Sequence, residues 1–329
     1  MDKNLALEFV RVTEEAAIAS ARWVGKGDKH SADQAAVNLM RKRFDTLDID
    51  GKIVIGEGER DEAPMLFIGE KVGSGKGPAF DIAVDPLECT NSVAYGRPNA
   101  IAVLAAAPAG DLVGAPDTYM NKIAAGPLAK GKIDLDKSPA ENINAAAKAL
   151  GKPVDEITVV VLDRERHENL IKEIRDAGAR VILISDGDIS GAIAPSLETN
   201  DIDMLLGIGA APEGVIAASA IKCLGGEIQA RFSFKNEEEK KRAKEMGIKD
   251  LDKKYYTDDL AKGNNVVFAA TGVITGLLLD GVQFTKEGAI THSLVMRSKS
   301  KTVRFIKTLH KFDHSEQKKI AMKKYTGNN

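Results

Sequence analysis

The stretch Asp81-Ile-Ala-Val-Asp85-Pro86-Leu87-Glu88-Cys89-Thr90 carries the densest chemistry in the chain. An apolar run delivers Asp85 at its tip, Pro86 lacks an N–H and so ends the strand ladder, and Glu88 follows one turn later. Two carboxylates then converge just off a sheet, the outline of a site for a hard cation. Thr90 and Asn91 beside them open a helix whose free backbone N–H groups face a bound anion, so a phosphate and a metal can share the spot. Alone, these residues fit an Asp-Pro turn followed by a helix cap just as well.

Two further acidic clusters sit at the ends of elements. In Gly56-Glu57-Gly58-Glu59-Arg60-Asp61-Glu62 the flanking glycines let the backbone carry Glu57 up to a ligand, although a run so charged also suits a solvated loop. In Gly27-Asp28-Lys29-His30-Ser31-Ala32-Asp33, Asp33 is either a ligand or a residue favouring the start of a helix. With no His or Cys cluster at ligand spacing beside them, these oxygens favour Mg or Mn over Zn.

The second half offers anion and hydroxyl grips. Asp163-Arg164-Glu165-Arg166-His167 places two arginines at i and i+2 past a strand end, which suits bidentate hold on a phosphate; Ser185-Asp186-Gly187-Asp188 suits sugar hydroxyls. Surface salt bridging is the plainer reading of both. The Asp186 turn mimics the start of an EF-hand loop, but Leu197 stands where that loop needs its closing glutamate. Gly207-Ile-Gly209-Ala210-Ala-Pro212-Glu213-Gly214 resembles a dinucleotide fingerprint, yet Pro212 occupies the place of the packing glycine, which disfavours NAD. Glu213, in the first turn of the following helix, either caps it or turns toward the metals. No Walker lysine pattern, nucleophile elbow or Cys-His pairing is present, the five His are scattered, and Cys223 reads as a small core residue.

The elements that must position these residues follow from periodicity. Residues 4 to 22 place Leu5, Phe9, Val12, Ala16 and Ala19 on one helical face, and a second helix runs from near Ser31 to Phe44. Short apolar runs at 52–55, 80–84 and 100–106 read as strands without long intervening helices, so the first half is predicted as α+β. After Pro153 strands at 157–162, 180–184 and 204–208 alternate with helices near 165–177, 189–194 and 214–224. That rhythm predicts a parallel sheet covered on both faces, with ligands past the strand carboxyl ends. Residues 237–254 read as a solvated helix and connector, and 266–270 as one more buried strand.

Length and composition bound the rest. The 329 residues, at roughly 150 per domain, suggest one large or two ordinary domains, divided here as 1–155 and 156–329. A net charge of −2 and 43% apolar residues exclude disordered, collagenous and membrane-spanning classes. Two Cys build no disulfide framework and no export signal opens the chain, which implies a reducing cytoplasm. Residues 301–329 carry +6 against −8 for the remainder, but no aromatic interleaving or docking motif accompanies the charge, so no nucleic-acid partner is expected.

Together the motifs resemble the class II, GlpX-type fructose-1,6-bisphosphatases, within the wider lithium-sensitive phosphatase superfamily. The resemblance runs nearly end to end. It takes in Leu-Glu-Phe-Val-Arg-Val-Thr-Glu near the start, Gly27-Asp-Lys through Asp33, Ile-Val-Ile-Gly-Glu57-Gly-Glu, Asp61-Glu-Ala-Pro-Met, Asp81 through Thr90, Ala115-Pro-Asp-Thr-Tyr119-Met and Gly-Ala-Pro-Glu213-Gly. It implies a layered αβαβα sandwich, a metal-binding first half and a substrate-binding second half. It also implies hydrolysis of the 1-phosphate of fructose 1,6-bisphosphate in a homodimer or homotetramer.

By the same resemblance Asp33, Glu57, Asp85, Glu88 and Glu213 are the expected ligands of Mg or Mn. Thr90, Asp33 and Lys29 are the expected catalytic residues, Thr90 to orient or deprotonate the attacking water with help from a neighbouring acid, and Lys29 with the two arginines to stabilise charge at the phosphates. Glu88, Cys89, Thr90, Tyr119, Arg164, Glu165, Arg166, Asp186, Gly187, Asp188 and Ala210 are expected to hold the substrate. Sedoheptulose 1,7-bisphosphate and inositol-type phosphates are the alternative substrates. The chain departs from the family pattern at Cys89 and Ala210, where glycine is usual. If position 89 needs φ > 0, its Cβ costs on the order of 1 kcal/mol and displaces Thr90, leaving a weakened enzyme or a sugar-phosphate-binding protein. The thiol is then either inert or a redox switch.

Overall fold

In the computed structural model, which describes residues 5–58 and 65–312, the early helical spacing becomes α1 (Leu5–Ala21) and α2 (Lys29–Phe44). Asp28 stands before α2 and accepts the Ser31 N–H at 3.0 Å, so the cap is Asp28 and Asp33 lies a turn inside the helix. Next come β1 (Asp50–Ile55), β2 (Lys71–Val72), β3 (Ala79–Glu88), α3 (Thr90–Tyr95), β4 (Ile101–Pro108) and β5 (Tyr119–Ala125). Ser138 and Glu141 form a capping box that starts α4 (Pro139–Leu150), and Gly151 ends it.

The alternating part of the chain gives β6 (Thr158–Leu162), α5 (Glu168–Asp176), β7 (Arg180–Ile184), α6 (Asp188–Ile193), β8 (Met204–Ala210) and α7 (Ala211–Leu224). It is followed by β9 (Glu227–Ser233), α8 (Glu237–Glu245), β10 (Tyr255–Tyr256) and α9 (Thr257–Leu260). The chain then makes β11 (Val267–Gly272), β12 (Gln283–Phe284) and the hairpin of β13 (Gly288–Arg297) with β14 (Thr302–Lys311). No helix among the described residues is long and apolar enough to cross a membrane.

Two mixed sheets result. The first runs β12-β13-β11-β4-β3-β1-β2 with β14 on the outer edge of β13, and only β1 and β3 in it are parallel. The second runs β10-β9-β5-β8-β6-β7. Its expected all-parallel character holds for β7-β6-β8 alone, because β5 lies antiparallel between β8 and β9. Nor do the sheets follow the division at residue 155: β5 comes from before it, and β11 to β14 return from after it to complete the first sheet. A second difference concerns Pro86. The β3 ladder shifts register between Asp85 and Glu88 instead of stopping, and Glu88 pairs with Ile101.

Alternate strand residues feed different apolar cores. Ile82, Val84, Leu104 and Val267 join Phe9, Val12, Met40 and Phe44 of α1 and α2. On the opposite face Ala83, Val103, Ala105 and Phe268 meet Val215, Ala218 and Ile221 of α7, together with Met120, Val160 and Leu205 of the second sheet. Beyond that sheet, Ile123, Val159 and Val161 pack against Ile143 of α4 and Ile174 of α5. The molecule is an α/β sandwich in which α7 is buried between the sheets. Its N-terminal helix is tied to the far end of the chain: Thr13 Oγ1 and Thr271 Oγ1 lie 2.8 Å apart, and Thr291 donates to Glu14 at 3.0 Å.

Candidate active site

Four elements bring acidic side chains to one cavity of about 400 Å³. From the inner face of α2 comes Asp33, from the tip of β1 Glu57, from β3 Asp85, and from the first turn of α7 Glu213. Cys89 and Thr90 at the start of α3, Asp186 after β7, and Asp117 ahead of β5 complete the polar wall. The β1 tip is set by a backbone contact that only glycine admits. A Cβ on Gly56 would stand 1.9 Å from the Leu66 carbonyl oxygen, to which the Glu57 N–H donates at 3.0 Å. The remainder of that acidic run, Glu59 to Glu62, lies outside the described residues.

Crowding of the carboxyls shows in their acidities. Burial pushes Asp85 well above the usual carboxylate range, and the charges of Glu57, Glu213 and Asp33 raise it further. Glu57 is pushed up to about 8 by burial and by Asp33, with which it shares a hydrogen bond. Glu213 rises to about 7 through burial, against the pull of Lys122. Glu88 lies behind the cavity wall: its Oε1 accepts the Ile189 N–H at 2.7 Å, its Oε2 has no partner, and burial followed by Asp85 raises it too.

The donors of this set fit a divalent cation in kind. They are all oxygens, they repel one another, and buried Oε2 atoms of both Glu88 and Glu213 lack hydrogen-bond partners. Buried carboxylate oxygens without donors are what a hard cation would satisfy. Among the described residues, no three acidic, His or Cys side chains already stand at ligand spacing. The residues suit the ion in kind, and the ion would draw them together.

The grips of the second half separate. Arg164 turns toward Asp186, 3.9 Å away, whereas Arg166 donates to the Ile208 carbonyl at 2.8 Å and lies 4.9 Å from the Tyr119 ring centre. The two arginines therefore do not close on one group. Lys235, which the sequence pattern did not single out, lies 4.2 Å from the centre of the same Tyr119 ring. Among the described residues neither Arg166 nor Lys235 is ion-paired with a carboxylate.

Asp188 is engaged elsewhere. It is ion-paired with the fully buried Lys122, which also donates to the Ala210 carbonyl at 2.7 Å, and a Cβ on Gly209 would collide with it. Lys122 was invisible in the sequence because it stands in mid-strand among apolar residues. Asp117 was passed over within its motif. Lys29 is exposed at the first position of α2, Glu165 is exposed before α5, and neither is among the residues lining the cavity. His167 is a pin: its Nδ1 meets the Leu162 carbonyl at 2.8 Å and its Nε2 accepts the Ile208 N–H at 2.8 Å. Burial lowers its pKa, which keeps it neutral between them.

The departures from the glycine pattern differ in consequence. Cys89 has φ of 73° and ψ of 50°, the left-handed region, at the residue that precedes Thr90. Its buried thiol is pushed well above the ordinary cysteine range, first by burial and then by Glu88 and Asp186, so a reactive thiolate is disfavoured. Ala210 is at φ −68°, extended backbone that any residue adopts. Gly187, at φ 102°, packs its Cα side against Asn99 and the Cys89 sulfur.

Comparison with known proteins agrees with this geometry. The family model described as bacterial fructose-1,6-bisphosphatase, glpX-encoded, matches residues 3–310. A relative from Synechococcus elongatus named D-fructose 1,6-bisphosphatase class 2/sedoheptulose 1,7-bisphosphatase is 50% identical, covering 95% of this chain and 98% of its own. Relatives of the same name from Crocosphaera subtropica and Trichodesmium erythraeum are 51% and 48% identical, covering 94% and 98% of this chain and 97% and 100% of their own. The chain belongs to the family of bacterial, glpX-encoded fructose-1,6-bisphosphatases.

Proposed function

We propose that the chain hydrolyses the 1-phosphate of fructose 1,6-bisphosphate, yielding fructose 6-phosphate and phosphate, with Mg or Mn as the cation. The observation that carries the reading is the convergence of Asp33, Glu57, Asp85 and Glu213 on one cavity beside Thr90, in a chain half identical to named bisphosphatases. Asp33, Glu57, Asp85, Glu88 and Glu213 would hold the cations. The bound ions would supply Lewis acidity at the phosphoryl oxygens and lower the pKa of a water.

The chain's own groups do the rest. The Thr90 hydroxyl, half-buried in the wall, orients the attacking water in line with the sugar oxygen that leaves. Asp33, hydrogen-bonded to Glu57, is the nearby acid that takes its proton. Asp186 receives sugar hydroxyls. Arg166 and Lys235, unpaired beside Tyr119, meet the far phosphate and make the site selective for a bisphosphate. The relatives' shared name supports sedoheptulose 1,7-bisphosphate as a second substrate.

The three apolar cores support reading the stack as αβαβα, with α1 and α2 outermost on one side and α4 and α5 on the other. The first half would supply most cation ligands and the second most of the substrate grip, in a homo-oligomeric cytoplasmic enzyme. A phosphate-release assay with Mg or Mn titrated in tests the reading. Wild type should turn over the bisphosphate, and Glu57→Ala should lose about 100-fold or more in kcat/KM. Tight binding of the bisphosphate without turnover by wild type, restored in Cys89→Gly, would mean a binding protein whose catalysis lapsed at that residue.

A further inference from the structure

A second cavity, of about 320 Å³, opens between α3 and the loops after β6 and β7. It adjoins the reaction cavity, since Asp186 lines both. Its walls are rich in donors. Arg97 lies just past α3 with its guanidinium 5.3 Å from the Tyr95 ring centre, and among the described residues it is not ion-paired with a carboxylate. Arg164, parted from Arg166, faces the same space, and its closest carboxylate is Asp186 at 3.9 Å. At the inner end Ser92 is 1% exposed and its hydroxyl has no hydrogen-bond partner.

Buried hydroxyls rarely stay unpaired, so the Ser92 Oγ marks a place where something polar is received. Two guanidinium forks outweigh the single carboxylate and offer paired donors at fixed angles, the geometry that fits phosphate oxygens. A neutral sugar would need acceptors as well as donors. We propose that this second cavity is a phosphate subsite, in which Arg97 and Arg164 supply the cations and Ser92 the buried donor. The occupant is free phosphate, which hydrolysis next door releases, since the far phosphate of the substrate has its partners in Arg166 and Lys235 at Tyr119.

Calorimetric titration of the chelator-treated full chain with inorganic phosphate tests the site. Without cations the acids of the reaction cavity offer phosphate no positive charge, so saturable binding reports on positive side chains elsewhere. Wild type should bind, and Arg97→Gln and Ser92→Val, with unchanged circular dichroism, should bind about tenfold more weakly or worse. No binding by wild type, or equal binding by both variants, overturns the proposal. Loss of binding in Lys235→Gln but not in Arg97→Gln also overturns it, by sending the phosphate to Tyr119.

Kinetics with Mg then reads the consequence, and this arm alone rests on the bisphosphatase reading. With free phosphate in the site, Arg97→Gln leaves KM for fructose 1,6-bisphosphate unchanged and relieves inhibition by added phosphate about tenfold. A KM raised about tenfold in Arg97→Gln would give the cavity to the substrate and overturn the proposal. Binding that leaves no trace in phosphate inhibition is an adventitious ion only, and the proposal falls.

Discussion

At position 89 backbone strain sits directly beside Thr90, the residue proposed to orient the attacking water. A Cβ in the left-handed region costs on the order of 1 kcal/mol, and here the strained residue directly precedes Thr90. Cys89→Ala and Cys89→Gly both remove the thiol, but only glycine removes the strain. In urea denaturation Cys89→Gly should be more stable than Cys89→Ala by about 1 kcal/mol, and it should turn over the bisphosphate at least as fast as wild type. Equal stabilities would mean that the loop tolerates the side chain without strain.

The crowded acids give a pH signature of their own. Glu57 titrates at about 8 and Glu213 at about 7 in the folded chain, against 4.5 for an ordinary glutamate. Between those values the folded state holds more protons than the unfolded one, so stability falls as pH rises through the window. The melting temperature of chelator-treated protein should decline from about pH 5 to about pH 8, and added Mg or Mn should flatten the decline. A flat profile in the chelator-treated protein would show that the carboxyls do not crowd one another. The acidic residues were legible in the sequence because their types and element-end positions state the chemistry. Lys122 and Lys235 were not, since contacts with Asp188 and Tyr119, each far away in the chain, leave no local pattern.

Among the elements, β5 is the most informative. Its centre reads Asn121-Lys122, which breaks any apolar alternation, and the strand is stable because Lys122 finds Asp188 on α6 and the Ala210 carbonyl on β8. Replacing it by Met strands a buried carboxylate and should cost about 3–5 kcal/mol in urea denaturation. Adding Asp188→Asn to that variant should recover about 1–2 kcal/mol, because the stranded charge goes with it. No recovery would mean that Lys122 stabilises the strand through packing alone. Periodicity revealed α1, α2 and the alternating β6 to α7 region, where each element buries a simple face. It missed β9 as well as β5, and it missed the β13-β14 hairpin, whose second strand lies in the stretch that read as a basic tail. Part of that tail is strand through Lys311; residues 313–329 lie outside the described chain.

For the molecule as a unit, interleaved strands decide what can stand alone. A fragment ending at residue 155 keeps β1, β3 and β4 but lacks β11 and β13, so the β4 edge of its sheet and the part of α1 that lies over β11 and β13 are uncovered. Such a fragment should show little near-ultraviolet circular dichroism, whereas the full chain should unfold in one transition seen alike by fluorescence and far-ultraviolet signal. A folded fragment would mean that the first half is autonomous despite the shared sheet.

The bonds from Thr13 to Thr271 and from Glu14 to Thr291 span 258 and 277 residues of chain. On a ribosome the first helix must therefore wait for the closing strands, about 15 to 55 s at the usual rate of roughly 5–20 residues per second. Through that interval the part of its apolar stripe that meets β11 and β13 stays open, which makes the nascent amino-terminal segment a natural client for a holding chaperone and the arrival of those strands the event that closes the first sheet.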